Sequence, residues 1–478
     1  MQVSPSQLTA THRTPAYRRP LPLRAHPLDV LSAWPASRPV AALLSCDGAN
    51  HASRWSVIAP ADGAAVELTP DNHEAALAAI APGAALQPGA EHADAPPFCG
   101  GWIGALHYEL GRCFEPTAHA GGRSNADASP AHTPSLGRLV RVDAAYIHDA
   151  LDDSWSAVGA PGRPDAIDAL PPIDLDHTAR GGWTTTDLRS DWTPERYQQR
   201  VRAVIEYIRA GDVFQANIAH RMRARVRGDL RAIALRLLDE ASPTFGAVLE
   251  NVAADGLSET IVSLSPELFL EAHLARGTIR TRPIKGTRPA SVGAEALRSS
   301  EKDGAELAMI VDLMRNDLGR ICAPGRVRVD EARTIERHAR DVLHAVATVS
   351  GDLRAGATLL DVLRATFPPG SVTGAPKVRA MQIIDELEGA PRGVYCGAVG
   401  FMSDCGATRW SVAIRTATIT GRSLDADHRA FEGEIVYPVG AGIVSDSDPD
   451  SEWEETLTKA GAVMRVLREH PRPQGSTA

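Results

Sequence analysis

The sequence predicts an α+β protein with one large elaborated core or two to three domains. Three observations predict it. The chain has 478 residues, 44% of them hydrophobic, which is enough to bury a large interior and too much for one small domain. Strand-period and helix-period patterns alternate irregularly through the second half, unlike the regular repeat of a parallel α/β protein. Neither a G-x-G-x-x-G turn after a strand nor a Walker loop occurs.

Taken in order, residues 1–19 read as a loose, disordered tail. An N-terminal region follows over 20–185, with strands expected at Val40–Leu44 and Trp55–Ile58. Gly100 to Glu109 is glycine-dense with aromatics and reads as a tightly packed strand turn or a binding wall. Segments near 116–135 and 160–182, rich in Ala, Gly, Ser and Pro, read as linkers or long loops. A catalytic-type domain is expected over 193–470. It opens with a helix that Thr193 can cap and Pro194 can start. Tyr197, Val201, Val204, Ile205 and Ile208 recur at helical spacing, and Gly211 ends the helix. A strand is expected over Asp212–His220.

Bulk properties narrow the function. The net charge is −9 and no basic tract appears, so nucleic acid and anionic membrane are not expected partners. Six scattered cysteines lack zinc or redox spacing and suit reduced thiols in a cytoplasmic protein. No apolar run approaches the ~20 residues that span a bilayer. Arg18-Arg19 is followed by no apolar stretch, so no signal peptide is expected.

Lys285, in Arg282-Pro283-Ile284-Lys285-Gly286-Thr287-Arg288, is the most informative residue. An exposed charge is the default for lysine. Held against a rigid turn and desolvated, its amine can instead be partly neutral and nucleophilic. Two acidic segments accompany it. Asp303 and Glu306 share a helix face that continues into Ile310; Glu452, Glu455 and Lys459 share a face beside an apolar stripe that includes Trp453. Each is a solvated charged face, or, if the two meet, part of an oxygen-rich site for a hard divalent ion such as Mg²⁺. Gly370 to Lys377 precedes a helix bearing Met381, Ile384 and Leu387, and reads as an anion cradle or a packing turn. Val439-Gly440-Ala441-Gly442-Ile443 offers close-approach amides. Arg415 is a lone charge in a strand-like run, and a buried arginine needs an anion. Together these fit a small, doubly anionic substrate.

In this order, the motifs Ser265-Pro266-Glu267, Pro283 to Thr287, Ile310 to Leu318, Gly370 to Lys377 and Gly440 to Ser447 resemble the chorismate-utilising enzymes. The resemblance is dense over 193–465 and weak over 20–110. It implies two large, mostly antiparallel sheets packed as a sandwich with helices outside. It implies Mg²⁺ on Glu306 and Glu455, with Asp303 and Glu452 in support. It implies Glu267 as general acid, Tyr395, Arg415, Gly442 and Lys459 on substrate carboxylates, Thr287 along the ring, and His344 as a site histidine without an assigned role. Lysine at position 285 resembles the aminodeoxychorismate branch, on the path to 4-aminobenzoate and folate, rather than the anthranilate synthases. That branch implies a covalent Lys285 intermediate. Gln215 stands where water-using relatives carry a basic lysine, so ammonia is the implied nucleophile. No G-x-C-x-G glutaminase elbow is present; a glutamine amidotransferase subunit is the implied partner, with chorismate the substrate. Anthranilate synthase component I and a non-catalytic binding subunit are the alternatives. Leu43-Leu44-Ser45-Cys46 departs from the run by which feedback-regulated relatives hold tryptophan, although Arg54 still matches.

Overall fold

Successive residues of Val40–Leu44 point to opposite faces, as a strand requires. Val40, Ala42 and Leu44 join a core beneath helices, whereas Ala41 joins a core shared with a second sheet. This alternation recurs throughout and stacks four layers, helices, sheet, sheet and helix, around the cores between them. The computed structural model describes residues 17–47, 53–80, 95–118, 135–176, 181–252, 256–338, 342–425 and 430–469. Among them are two large sheets of thirteen and ten strands, with antiparallel pairing between neighbours. Strands such as Gly101–Leu106, Gly137–Val142 and Ala398–Ser403 face the first sheet across the shared core. Helices Pro194–Arg209, Lys377–Glu388 and Pro449–Arg468 cover the first sheet from outside, and helix Glu301–Gly319 covers the second. The expected α+β sandwich is the observed fold.

Both sheets draw on both halves of the chain. Val40–Leu44 pairs with Phe245–Val252, and Gly101–Leu106 pairs with Ala398–Ser403. Residues 20–185 and 193–470 thus share their sheets. Tyr17–Leu21, partly within the expected tail, pairs with Ser154–Gly159; residues 1–16 lie outside the described residues, as do 119–134 of the first expected loop and 177–180 of the second.

One ribbon positions the site. Leu257–Ser265 pairs with Thr416–Ser423 in the first sheet, and their continuations Leu268–His273 and Ala407–Val412 pair in the second. The ribbon therefore changes sheets at residues 266–267 and 413–415. Strand Gln215–Gly228 begins later than expected and pairs with Phe431–Ile443 from Ala216 to Gly228. Thr193 caps its helix as expected, accepting from the Arg196 N–H at 3.3 Å. No helix among the described residues is long and apolar enough to cross a membrane, and the six cysteines form no disulfide.

Candidate active site

Lys285 sits on strand Ile284–Pro289, where the pairing with Val342–Asp352 slips between Lys285 and Thr287. Gly286 makes the slip possible with φ +80°, a conformation that favours glycine. A Cβ at that position would stand 2.9 Å from the Asp303 carboxyl carbon, so the bulge lies against the first turn of helix Glu301–Gly319. On the other side, a Cβ on Gly442 would stand 3.4 Å from Lys285 Nζ and 2.7 Å from Gln215 Nε2. Three distant segments thus converge on one amine. Because it lines a cleft, the Lys285 side chain keeps some accessible surface, but its ammonium is enclosed by protein. Burial lowers its proton affinity below the ordinary lysine value, and the pull of Glu306 and Glu267 offsets this only in part.

Glu267 follows Pro266 at the sheet crossing and is buried, 4% exposed. Burial pushes its carboxyl up to about 7, against the opposing effects of Ser371, Lys285 and Arg415. An acid poised near neutrality can donate a proton. Arg415 occupies the other crossing, between strands and not within one, with φ +51°. Its guanidinium takes no ion pair among the described residues, and its field is felt at Glu267 and His344. His344 is buried and pushed down to about 3 by burial first and Arg415 second. It stays neutral, with Nδ1 3.0 Å from Thr287 Oγ1.

Gln215 is fully buried, and neither end of its amide has a hydrogen-bond partner. Two such orphaned groups cost on the order of 1–3 kcal/mol each, so the arrangement suits a ligand that completes them. Tyr395 is buried beside Gly440, where a Cβ would stand 2.9 Å from its hydroxyl. Lys459 Nζ donates to the Gly440 carbonyl at 2.8 Å and pairs with Glu455 at 2.7 Å.

The two acidic helices do face one region. Lys285 feels both Glu306 and Glu455, and Lys302 reaches Asp446, just ahead of the second helix, at 3.7 Å. Burial raises the carboxyls of Glu306 and Glu452. Burial acts on Glu455 too, but Lys459 and Lys285 outweigh it and hold that carboxyl below the usual range. Asp303 takes an ion pair from Arg288 at 2.9 Å, and Glu452 accepts from the Ser447 hydroxyl at 2.6 Å. Among the described residues, no three His, Cys, Asp or Glu side chains form a ready metal cage.

Some expectations change. The helix bearing Glu452 is capped by Asp448, which accepts from the Ser451 N–H at 2.9 Å. Lys377 offers no charge to an anion. Its ammonium is buried against Asp317 at 2.6 Å and the Thr366 carbonyl at 2.7 Å, so Gly370–Lys377 is a packing turn. The same turn delivers Ser371 to Glu267, a contact that the sequence reading missed although it had singled out the motif. Asn217, whose buried Oδ1 lacks a partner, was also missed; its place two residues after Gln215 on one strand face was the available signal.

A desolvated amine, a carboxylic acid poised near neutrality and two acidic helices face one sandwich cleft, an arrangement with the chemistry to act on a small anionic substrate. The chain belongs to the chorismate binding enzyme family, whose pattern it matches over residues 40–465. It is 38% identical over 383 residues to aminodeoxychorismate synthase component 1 of Klebsiella aerogenes, covering 78% of each chain. It is 37% identical over 396 residues to anthranilate synthase component 1 of Aquifex aeolicus, covering 78% of this chain and 75% of that one. The structure of anthranilate synthase component I from Streptococcus pneumoniae superposes with a TM-score of 0.68 at 25% identity, covering 86% of this chain and 92% of that one. The protein is a chorismate-utilising enzyme.

Proposed function

We propose that the protein aminates chorismate at C4, giving 4-amino-4-deoxychorismate through a covalent bond to Lys285. The observation that carries this reading is the enclosed Lys285 amine, with proton affinity lowered by burial, close to an acid held at about 7. Lys285 Nζ adds to C2, the ring double bonds shift, and the C4–O bond breaks as Glu267 gives the leaving hydroxyl its proton. Ammonia then adds to C4, the double bonds shift back, and the C2–N bond to Lys285 breaks. One ammonia enters and one water leaves, and a hard substitution becomes two easier ones.

Arg415, lacking an ion-pair partner among the described residues, and the amides at Gly442 suit the substrate carboxylates, and Tyr395 and Lys459 border the same face. Thr287 and His344 line the ring, with His344 acting as a neutral hydrogen-bond partner. Glu306 and Glu455 would hold Mg²⁺, with Asp303 and Glu452 behind them. Two desolvated carboxylates without a full protein cage match an ion that takes one or two carboxylates, waters and an anionic substrate group. Bound there, the ion would neutralise the ring carboxylate. The relatives are named as component 1, which supports a separate ammonia-supplying partner, a glutamine amidotransferase. The product would feed 4-aminobenzoate and folate synthesis in the cytoplasm.

Equal similarity to anthranilate synthases favours C2 amination as the second reading; an amine at position 285 opposes it. Protein incubated with chorismate, Mg²⁺ and ammonium, followed by the lyase that releases pyruvate, is expected to yield 4-aminobenzoate. Lys285→Ala is expected to lose most of this activity. Anthranilate as product, or full rate in Lys285→Ala, would overturn the proposal.

A further inference from the structure

Strand Val342–Asp352 runs between Ile284–Pro289 and Arg328–His338, and its register sets a row of side chains across three strands. Thr287 pairs with His344, and His344 pairs with Glu336, so the three share one sheet face. Thr287 Oγ1 holds one edge of the His344 ring, 3.0 Å from Nδ1. A second histidine backs this row. His338 lies two residues beyond Glu336 on the same face and is 3% exposed. Its ring meets the His344 ring edge to face, with centroids 5.2 Å apart and planes at 73°.

His338 is held by more than packing. Its Nε2 bonds with Glu336 Oε2 at 3.1 Å, and its Nδ1 lies 2.7 Å from Thr244 Oγ1, just ahead of strand Phe245–Val252 in the other sheet. A carboxylate only accepts, so the Glu336 contact puts a proton on Nε2. The other Glu336 oxygen accepts from Arg282, three residues ahead of Lys285. Burial works against the Glu336 charge, but His338 and Arg282 outweigh it and hold that carboxyl below the usual range. Turning the His338 ring over would set carbon against both oxygens, and each lost bond to a buried group costs on the order of 1 kcal/mol or more. The ring is therefore fixed in one orientation, with its edge or face against His344.

We propose that His338 is a positioning residue: tied across the sandwich by Thr244 and along its own strand by Glu336, it is the wall that keeps the His344 ring turned to Thr287 and the substrate. The inference rests on the placing of His344 beside the substrate ring in the reading above. An imidazole serves a transition state only at a set angle, and a displacement of about 1 Å can cost on the order of 100-fold in rate.

The test follows the loss of chorismate with the full chain, Mg²⁺ and ammonium, whatever the product. His338→Phe keeps a ring and removes both hydrogen bonds. It is expected to lower kcat about tenfold or more and to leave the KM for chorismate within about twofold, with melting temperature checking the fold. His338→Gln, which offers an amide N–H toward Glu336, is expected to recover part of the loss. The decisive measurement is the cycle with His344→Ala: adding His338→Phe to that variant is expected to lower kcat no further. Should His338→Phe not fold, Thr244→Val removes one tie at nearly constant shape and enters the same cycle with a smaller loss. Additive losses in the cycle, or wild-type kcat in folded His338→Phe or in His344→Ala, would overturn the positioning role. Anthranilate as product with a non-additive cycle would sink the amination reading and leave the role of His338 standing.

Discussion

Glu267 and Arg415 lie in the two adjacent links where paired strands leave one sheet for the other. The Glu267 carbonyl accepts from Val412 at 3.0 Å, and the Arg415 carbonyl accepts from Leu264 at 2.9 Å. Each link is thus tied to the strand end of its partner link. The Ser265 hydroxyl adds a third tie to the Val412 carbonyl at 2.6 Å. Neither side chain belongs to a regular strand, yet both are fixed by the scaffold on either side. An acid and a cation held this way keep their separation without direct pairing, which suits a site whose substrate is itself an anion.

The rate should show a bell-shaped pH dependence at constant free ammonia. Glu267 must hold a proton to give away, and its carboxyl sits at about 7, so kcat falls as pH rises above that. Lys285 must be neutral to attack, and its amine, with proton affinity lowered by burial, still takes up a proton as pH falls, so kcat falls there too. A pH–rate profile that climbs steadily past pH 9 would contradict this assignment.

Glu267→Gln should stabilise the fold in mild alkali. The folded state raises the Glu267 carboxyl to about 7, so folding binds the proton more tightly than the unfolded chain does. That contribution is fully present below the unfolded value near 4.3 and is lost as pH rises through 7. At pH 8 the buried charge costs up to about 4 kcal/mol, which the amide avoids. Urea unfolding should show the variant more stable at pH 8 and matched to wild type at pH 4.

Gly442→Ala should disable the site without unfolding the protein. The new methyl would stand 2.7 Å from Gln215 Nε2 and 3.4 Å from Lys285 Nζ. Gln215 is fully buried and has little room to retreat. Activity should fall more than tenfold, with melting temperature lowered by only a few degrees; wild-type turnover would show that this contact is slack.

Lys377→Met should destabilise strongly. It leaves the Asp317 carboxylate buried and alone, a loss of about 3–5 kcal/mol by analogy with broken buried pairs. Adding Asp317→Leu should recover much of that loss in chemical denaturation. A single variant as stable as wild type would mean that Asp317 simply takes up a proton.

The helices were the most legible elements. Pro194–Arg209 and Lys377–Glu388 carry their apolar residues at a spacing that tertiary packing does not alter. Lys285 stood out in the sequence because Pro283 fixes the backbone before it and Gly286 frees it just after, although the residue lies on a bulged strand and not in the rigid turn expected. Ser371 and Asn217 were not legible in the same way. Their importance comes from Glu267, 104 residues away in one case, and from the partner strand of Gln215–Gly228 in the other. The sequence left Gly370–Lys377 open between an anion cradle and a packing turn, because a lysine beside a helix start looks alike whether it meets an anion or an internal carboxylate. Arg415 looked like a strand residue because the apolar run around it continues across the sheet change.

Local sequence alone decided where the clearest helices and strands fall, which chemistry is present, and that Pro283 and Gly286 set the amine at 285 in an irregular stretch of backbone. Backbone restriction and hydrophobic period act over a few residues, and so can be read there. Only the folded chain could decide that Lys285, Glu267, Gln215 and Gly442 share one cleft and that the acidic helices face it. Those facts arise from pairings between strands far apart in the sequence, and burial, which sets the proton affinities, exists only once those pairings have closed.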